Sequence, residues 1–179
     1  MSDVSYLKSQ LGVHAGFPKE GITFIDIFPL LRDPFTFEML ITHFLSHIAQ
    51  VHPGVKPDVI VGLDARGFLF GPIIAMRLGA AFVPVRKVGK LPGECNVAEY
   101  TKEYGVDRFE MQKDAIKPGQ TVIVVDDLIA TGGSAAAAGE LIRKAGGKTL
   151  EYLFVVGLPF LHGADKLDAP SYWMVEAED

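Results

Sequence analysis

Short apolar runs recur through the latter two-thirds of this chain, separated by longer stretches with helical spacing: DVIVG at 58–62, AFVPV at 81–85, TVIVV at 121–125 and LEYLFVVG at 150–157. Runs this short, rich in Val and Ile, suit strands covered on both faces better than helices. Between the first two, residues 67–78 read as a helix with Pro72 near its start or at a kink. Between the last two, residues 134–145 read as a helix with Ala138, Leu141, Ile142 and Ala145 on one face and Gly146-Gly147 as its stop. A further strand is expected at 172–175. Strand, helix and strand in alternation require crossover connections, and crossovers make strands parallel. The pattern predicts an α/β fold: an open, mostly parallel twisted sheet flanked by helices. Such sheets bind ligands at the carboxyl ends of their strands, which points to the residues just after Val61 and Val125.

The first third reads differently. Residues 1–12 suggest a short amphipathic helix, and 17–29 (FPKEGITFIDIFP) an irregular segment punctuated by Pro18, Gly21 and Pro29. Asp33-Pro34 then looks like an N-cap followed by proline at the first helical position. Phe37, Leu40, Ile41, Phe44, Leu45 and Ile48 follow on one helical face, up to Pro53-Gly54. With 179 residues, one domain (1–179) with one sizeable core is expected.

Composition excludes several classes. The 17 Lys and Arg against 22 Asp and Glu give a formal charge of −5. That is wrong for a chain whose whole surface attracts nucleic acid or an anionic membrane, though it leaves room for a local anion site. A single cysteine, Cys95, excludes a disulfide framework within the chain and a Cys-rich zinc site. It fits a reducing compartment. No apolar stretch reaches the roughly 18–20 residues of a membrane span, and residues 1–16 lack an apolar run with a cleavage site. A cytoplasmic, soluble protein is expected. His43 and His47 are i, i+4 on a helix, but no third ligand accompanies them and they read as helix surface.

The segment after the clearest strand carries the chemistry. Asp126-Asp127 follow Val125 where the chain is expected to meet solvent, then Leu128, Ile129, Ala130, Thr131, Gly132, Gly133 and Ser134 lead into a helix. Carboxylates accept hydrogen bonds from sugar hydroxyls. Glycines let the backbone turn tightly and bring N–H groups to a phosphate, and a helix N-terminus favours that anion. Each piece alone also describes a strand-to-helix turn with two exposed acids and a serine cap. In this order they describe a site for a phosphorylated sugar. Neither G-x-x-x-x-G-K-[ST] nor G-x-G-x-x-G after a strand is present.

VIVVDDLIATGGS resembles the 5-phosphoribosyl-1-pyrophosphate (PRPP) binding motif of the type I phosphoribosyltransferases. Four further segments resemble, in order and spacing, the adenine phosphoribosyltransferase family. They are FPKEGITFIDIFPLLRDP at 17–34, VGLDARGFLFGP at 61–72, VPVRKVGKLPGE at 83–94 and EYTKEYGVDRFEMQKDAIKPG at 99–119. The resemblance implies an N-terminal hood (1–34) that binds the purine at Thr23, Phe24 and Ile25, with Leu128 as the opposing apolar wall. It implies base recognition largely by main-chain groups; many members carry Arg where this chain has Ile25. Asp126, Asp127, Ala130, Thr131, Gly132, Gly133 and Ser134 would hold phosphate and ribose. Asp64, Ala65, Arg66, Arg86 and Lys87 would hold pyrophosphate. Residues 89–112 would form a mobile lid loop. The catalytic glutamate would be Glu103, in an E-Y-G triplet with Tyr104; the Glu99-Tyr100 pair is the alternative. The implied activity is purine salvage: adenine and PRPP giving AMP and pyrophosphate. Mg²⁺ would be held mainly by substrate oxygens and water, in a homodimer that binds neither nucleic acid nor membrane. Another base (xanthine, orotate) and a non-catalytic PRPP-sensing regulator are the alternatives. Regulators of that kind usually add a DNA-binding segment, and none is evident.

Overall fold

The apolar runs do become parallel strands in the computed structural model, which describes residues 3–102 and 105–177. β3 (Val59–Leu63), buried along its whole length, pairs in parallel with β4 (Ala81–Lys87) on one side and β7 (Thr121–Ile129) on the other. β8 (Lys148–Gly157) and β9 (Ser171–Glu176) extend the parallel sheet beyond β7. The opposite edge is antiparallel: β5 (Cys95–Lys102) and β6 (Gly105–Gln112) form a hairpin whose second strand pairs with β4. The seven-stranded order is β5-β6-β4-β3-β7-β8-β9. These strands belong to a compact unit, Gly54–Asp179.

Alternate residues of the central strands serve two helices. Val59, Val61, Leu63, Val122 and Val124 join a cluster with Ala138, Leu141 and Ile142 of α5 (Gly133–Lys144). Gly62 and Val125 face α4 (Gly67–Leu78), where added methyl groups on Gly67 and Gly71 would run into Val125 and Phe82. Those two glycines let the helix lie directly on the strands. The crossover through α4 runs from β3 to β4 and that through α5 from β7 to β8, in opposite directions from the sheet centre. The switch point of the sheet therefore falls between β3 and β7.

The chain forms a second compact unit, Met1–Pro53. It contains α1 (Asp3–Gln10), β1 (Gly12–Ala15), β2 (Thr23–Asp26), α2 (Phe28–Arg32) and α3 (Pro34–Val51). The boundary lies after α3 because this helix is tied to what precedes it. Thr36 donates its hydroxyl to the Leu30 carbonyl at 2.7 Å, and the His43 ring meets the Asp3 carboxylate at 2.9 Å. The Asp33 cap is as expected, its carboxylate accepting from Phe35 N–H at 3.1 Å ahead of Pro34.

Two expectations need correction. The segment read as irregular, 17–29, supplies β2 and α2; β2 pairs antiparallel with β1, and Gly16 at φ 73° turns the chain at the end of β1. The lid read as a loop, 89–112, is mostly the β5–β6 hairpin, exposed toward Gly105 and buried at Phe109, Glu110 and Met111. Among the described residues no helix is long and apolar enough to cross a membrane, and no cluster of three His, Cys, Asp or Glu is placed to hold a metal.

Candidate functional site

A cavity of about 330 Å³ opens in the Gly54–Asp179 unit at the carboxyl ends of β3 and β7. Its walls bring together Asp64, Ala65, Arg66 and Lys87 with the continuous segment from Asp126 through Ser134. Twelve of the residues the sequence singled out thus share one pocket: those four with Asp126, Asp127, Leu128, Ala130, Thr131, Gly132, Gly133 and Ser134. Arg86 stands behind the wall. Thr23, Phe24 and Ile25 belong to the Met1–Pro53 unit, on or beside β2. Glu103 and Tyr104 lie outside the described residues.

The loop expected to hold phosphate is built by backbone geometry. Gly132 sits at φ 76°, a left-handed conformation that L side chains rarely adopt, and α5 starts at the next residue. Its carbonyl already accepts the first helical bond, from Ala136 N–H at 2.9 Å. The N–H groups of the first turn have no partner inside the helix, so a loop of small residues here presents donors to an anion. A side chain at Gly132 would meet the Gly163 carbonyl, and one at Gly163 would meet the Ala130 carbonyl. The loop is thus seated on the 3-10 turn Gly163–Lys166. Lys166 Nζ donates to the Thr131 carbonyl at 2.7 Å. Neither Gly163 nor Lys166 stood out in the sequence.

The acids are not where a solvent-facing loop would put them. β7 continues through Ile129, paired with β8 as far as Gly157, so Asp126 and Asp127 lie on the strand and Asp127 is only 5% exposed. Asp126 Oδ1 accepts from the Asp127 N–H at 2.9 Å, and Arg66 Nε reaches Asp127 Oδ2 at 2.6 Å. Burial pushes the Asp126 carboxyl well above the ordinary carboxylate range, and repulsion from Asp127 adds to it. Burial also raises Asp127, against the lowering effect of the Arg66 charge. Ionising both carboxyls beside one guanidinium would leave a buried negative charge that a cation or a set of hydroxyl donors would relieve.

The other cations are likewise held by acids. Arg86 Nε bonds Asp64 Oδ2 at 2.8 Å. Lys87 Nζ meets Asp107 Oδ2 at 3.1 Å, and the same oxygen accepts from the Tyr100 hydroxyl at 3.2 Å. Tyr100 and Phe109, from facing strands of the hairpin, wall the cavity. The base of the hairpin is fastened twice. Lys144 Nζ donates to the Val97 carbonyl at 2.6 Å, and Glu110 Oε1 accepts from the N–H groups of Lys90 and Leu91, each at 2.7 Å. Burial disfavours the Glu110 charge, but those amides with that of Gly89, and Arg86, prevail and hold its pKa below the usual range.

A glycine-rich loop at a helix start, paired acids and clustered cations thus meet at the switch point of a parallel sheet, the arrangement expected of a protein that handles a phosphorylated sugar. The phosphoribosyl transferase domain family matches residues 34–176. An adenine phosphoribosyltransferase from Yarrowia lipolytica is 58% identical over 173 residues, 97% of this chain and 95% of that protein. Adenine phosphoribosyltransferase 1 of Saccharomyces cerevisiae is 55% identical over 181 residues, covering 99% and 97%. A crystal structure of adenine phosphoribosyltransferase from Saccharomyces cerevisiae, complexed with an imino-altritol bisphosphate and adenine, superposes with a TM-score of 0.95 at 54% identity, over 97% of this chain and 98% of that one. That from Thermoanaerobacter pseudethanolicus gives 0.91 at 42% identity, over 97% and 99%. The chain belongs to the phosphoribosyl transferases and, within them, to the adenine phosphoribosyltransferase family.

Proposed function

We propose that this protein transfers the phosphoribosyl group of PRPP to adenine, giving AMP and pyrophosphate in purine salvage. The observation that carries the reading is the single cavity in which the loop Ala130–Ser134 and the Asp126-Asp127 pair stand together with Arg66 and Lys87. The 5′-phosphate takes the amides of the loop and the ribose diol donates to the two acids. Pyrophosphate is held by the turn of Asp64, Ala65 and Arg66 and by Lys87, with Arg86 behind. The C1–oxygen bond breaks with its electron pair leaving on pyrophosphate, and the C1–N9 bond to adenine forms. Charge at such an anomeric carbon develops as in glycoside chemistry. No covalent nucleophile is required, so these residues work by alignment and charge stabilisation.

Adenine rests against the apolar side chain of Leu128, and the family resemblance adds main-chain recognition at Thr23, Phe24 and Ile25. Glu103 accepts the purine proton and Tyr104 positions it, and the β5–β6 hairpin moves as a lid that keeps water from the activated ribose. The cavity also suits Mg²⁺: its carboxyls are hard oxygen donors, and burial and mutual repulsion disfavour the fully ionised Asp126-Asp127 pair, which a nearby cation would relieve. Those two would complement a cation held mainly by substrate oxygens and water; when bound, it supplies charge stabilisation to the departing pyrophosphate. We further infer a cytoplasmic homodimer.

The test is an assay with Mg²⁺, PRPP and, in turn, adenine, hypoxanthine, guanine, xanthine and orotate. AMP should form with adenine alone. Turnover of another base would reassign the substrate, and binding without any turnover would make the chain a sensor.

A further inference from the structure

We infer that Lys166 is a positioning residue for the phosphate loop, acting from the turn Gly163–Lys166 through the Thr131 carbonyl. The inference rests on the reading of Ala130–Ser134 as the 5′-phosphate site. Lys166 is 35 residues from Thr131 in sequence, and its Nζ stands 2.7 Å from the Thr131 oxygen. That contact is anchored by an independent one. Gly163 is buried, and a methyl group on it would strike the Ala130 carbonyl and the Gly132 nitrogen; a methyl group on Gly132 would strike the Gly163 carbonyl. Glycine on both sides lets the two backbones touch, which places Lys166 within reach of the loop.

The consequence follows from the planarity of the peptide group. In a trans peptide the carbonyl and the N–H point in opposite directions. Holding the Thr131 carbonyl therefore fixes the direction of the Gly132 N–H, a donor of the phosphate loop. The ammonium also polarises that peptide, and a polarised N–H is a better donor. It adds a positive charge behind a loop that receives a phosphate. An exposed lysine with one such bond contributes little to global stability, so its effect should appear in ligand affinity.

The experiment compares the unaltered chain with Lys166→Met and Lys166→Arg. Ribose 5-phosphate binding is measured by calorimetry, and KM for PRPP, AMP, adenine and pyrophosphate from both reaction directions. Lys166→Met should weaken ribose 5-phosphate about fivefold, the scale of one exposed charge-assisted hydrogen bond. KM should rise for PRPP and AMP, the two substrates that carry the 5′-phosphate. KM for adenine and pyrophosphate should stay put, the melting temperature should hardly move, and Lys166→Arg should restore affinity. Equal losses for pyrophosphate, or ribose 5-phosphate binding indifferent to Lys166, would overturn the inference while leaving the loop assignment standing. Failure of the unaltered chain to bind ribose 5-phosphate would overturn both.

Discussion

Asp126→Asn should make the unliganded protein more stable and a worse enzyme. Asp126 and Asp127 are adjacent on β7 and share the single Arg66 guanidinium, 2.6 Å from Asp127. Like charges on adjacent residues, roughly 5–8 Å apart, repel by about 2–3 kcal/mol at an effective dielectric of about 20. Allowing for the offset from Arg66, removing one of them is worth about 1–2 kcal/mol. The amide oxygen of Asn can still accept from the Asp127 N–H that now reaches Asp126 Oδ1 at 2.9 Å. For a chain of this size each kcal/mol moves the melting point by about 2–4 °C, so a rise of about 2–8 °C is expected in calorimetry. Both carboxyls titrate above the ordinary range when folded. The folded state then keeps protons the unfolded chain has released, and stability falls as pH climbs from about 4 toward the raised values. The advantage of the variant should therefore be absent in acid, grow through that window and be complete above it. PRPP binding, measured on the same samples, should weaken. Asp127→Asn is the contrast, because it removes the carboxylate that Arg66 bonds at 2.6 Å and should not stabilise. An Asp126→Asn protein no more stable than the parent at neutral pH, or equally more stable in acid, would refute the reasoning.

Gly132→Ala places a side chain at φ 76° against the Gly163 carbonyl. Denaturation should show a loss of about 1–2 kcal/mol or more from the left-handed conformation alone, and ribose 5-phosphate titration a marked loss of affinity. Glu103→Gln should lower kcat by about 10²-fold or more while PRPP binding persists; steady-state and equilibrium measurements on one preparation would separate the two.

The parts legible in the sequence were those whose signal is local. Val122, Val124 and Val125 announced a buried strand because central parallel strands need apolar side chains on both faces, and Asp33-Pro34 announced a helix start because capping is settled within four residues. The glycine turn into α5 was legible because its glycines and hydroxyls are contiguous. The β1–β2 hairpin was missed because its residues are exposed or only half-buried, leaving no alternation to read. The β5–β6 hairpin was taken for a loop, since its strands pair at a sheet edge and mix polar with apolar residues. Asp126 and Asp127 were expected at the solvent because a pair of acids ordinarily ends a strand; ladder bonds to β8 carry the strand past them. Gly163, Lys166 and Asp107 act on residues distant in sequence or across a strand pair, and no local pattern encodes such contacts.

One arrangement bears on how the pocket meets salt. Arg66 leans on Asp127, Arg86 on Asp64 and Lys87 on Asp107. Each of these cations carries a covalently tethered counterion. A polyphosphate arriving at these cations would displace carboxylates of the protein, which stay in place as neighbours, where a nucleic acid on a bare basic surface would release mobile ions to the solvent. The entropy gained by shedding small ions is correspondingly small here. Recognition behaves as ion exchange inside a fixed lattice of charges, selective for a compact anion that can satisfy several partners at once.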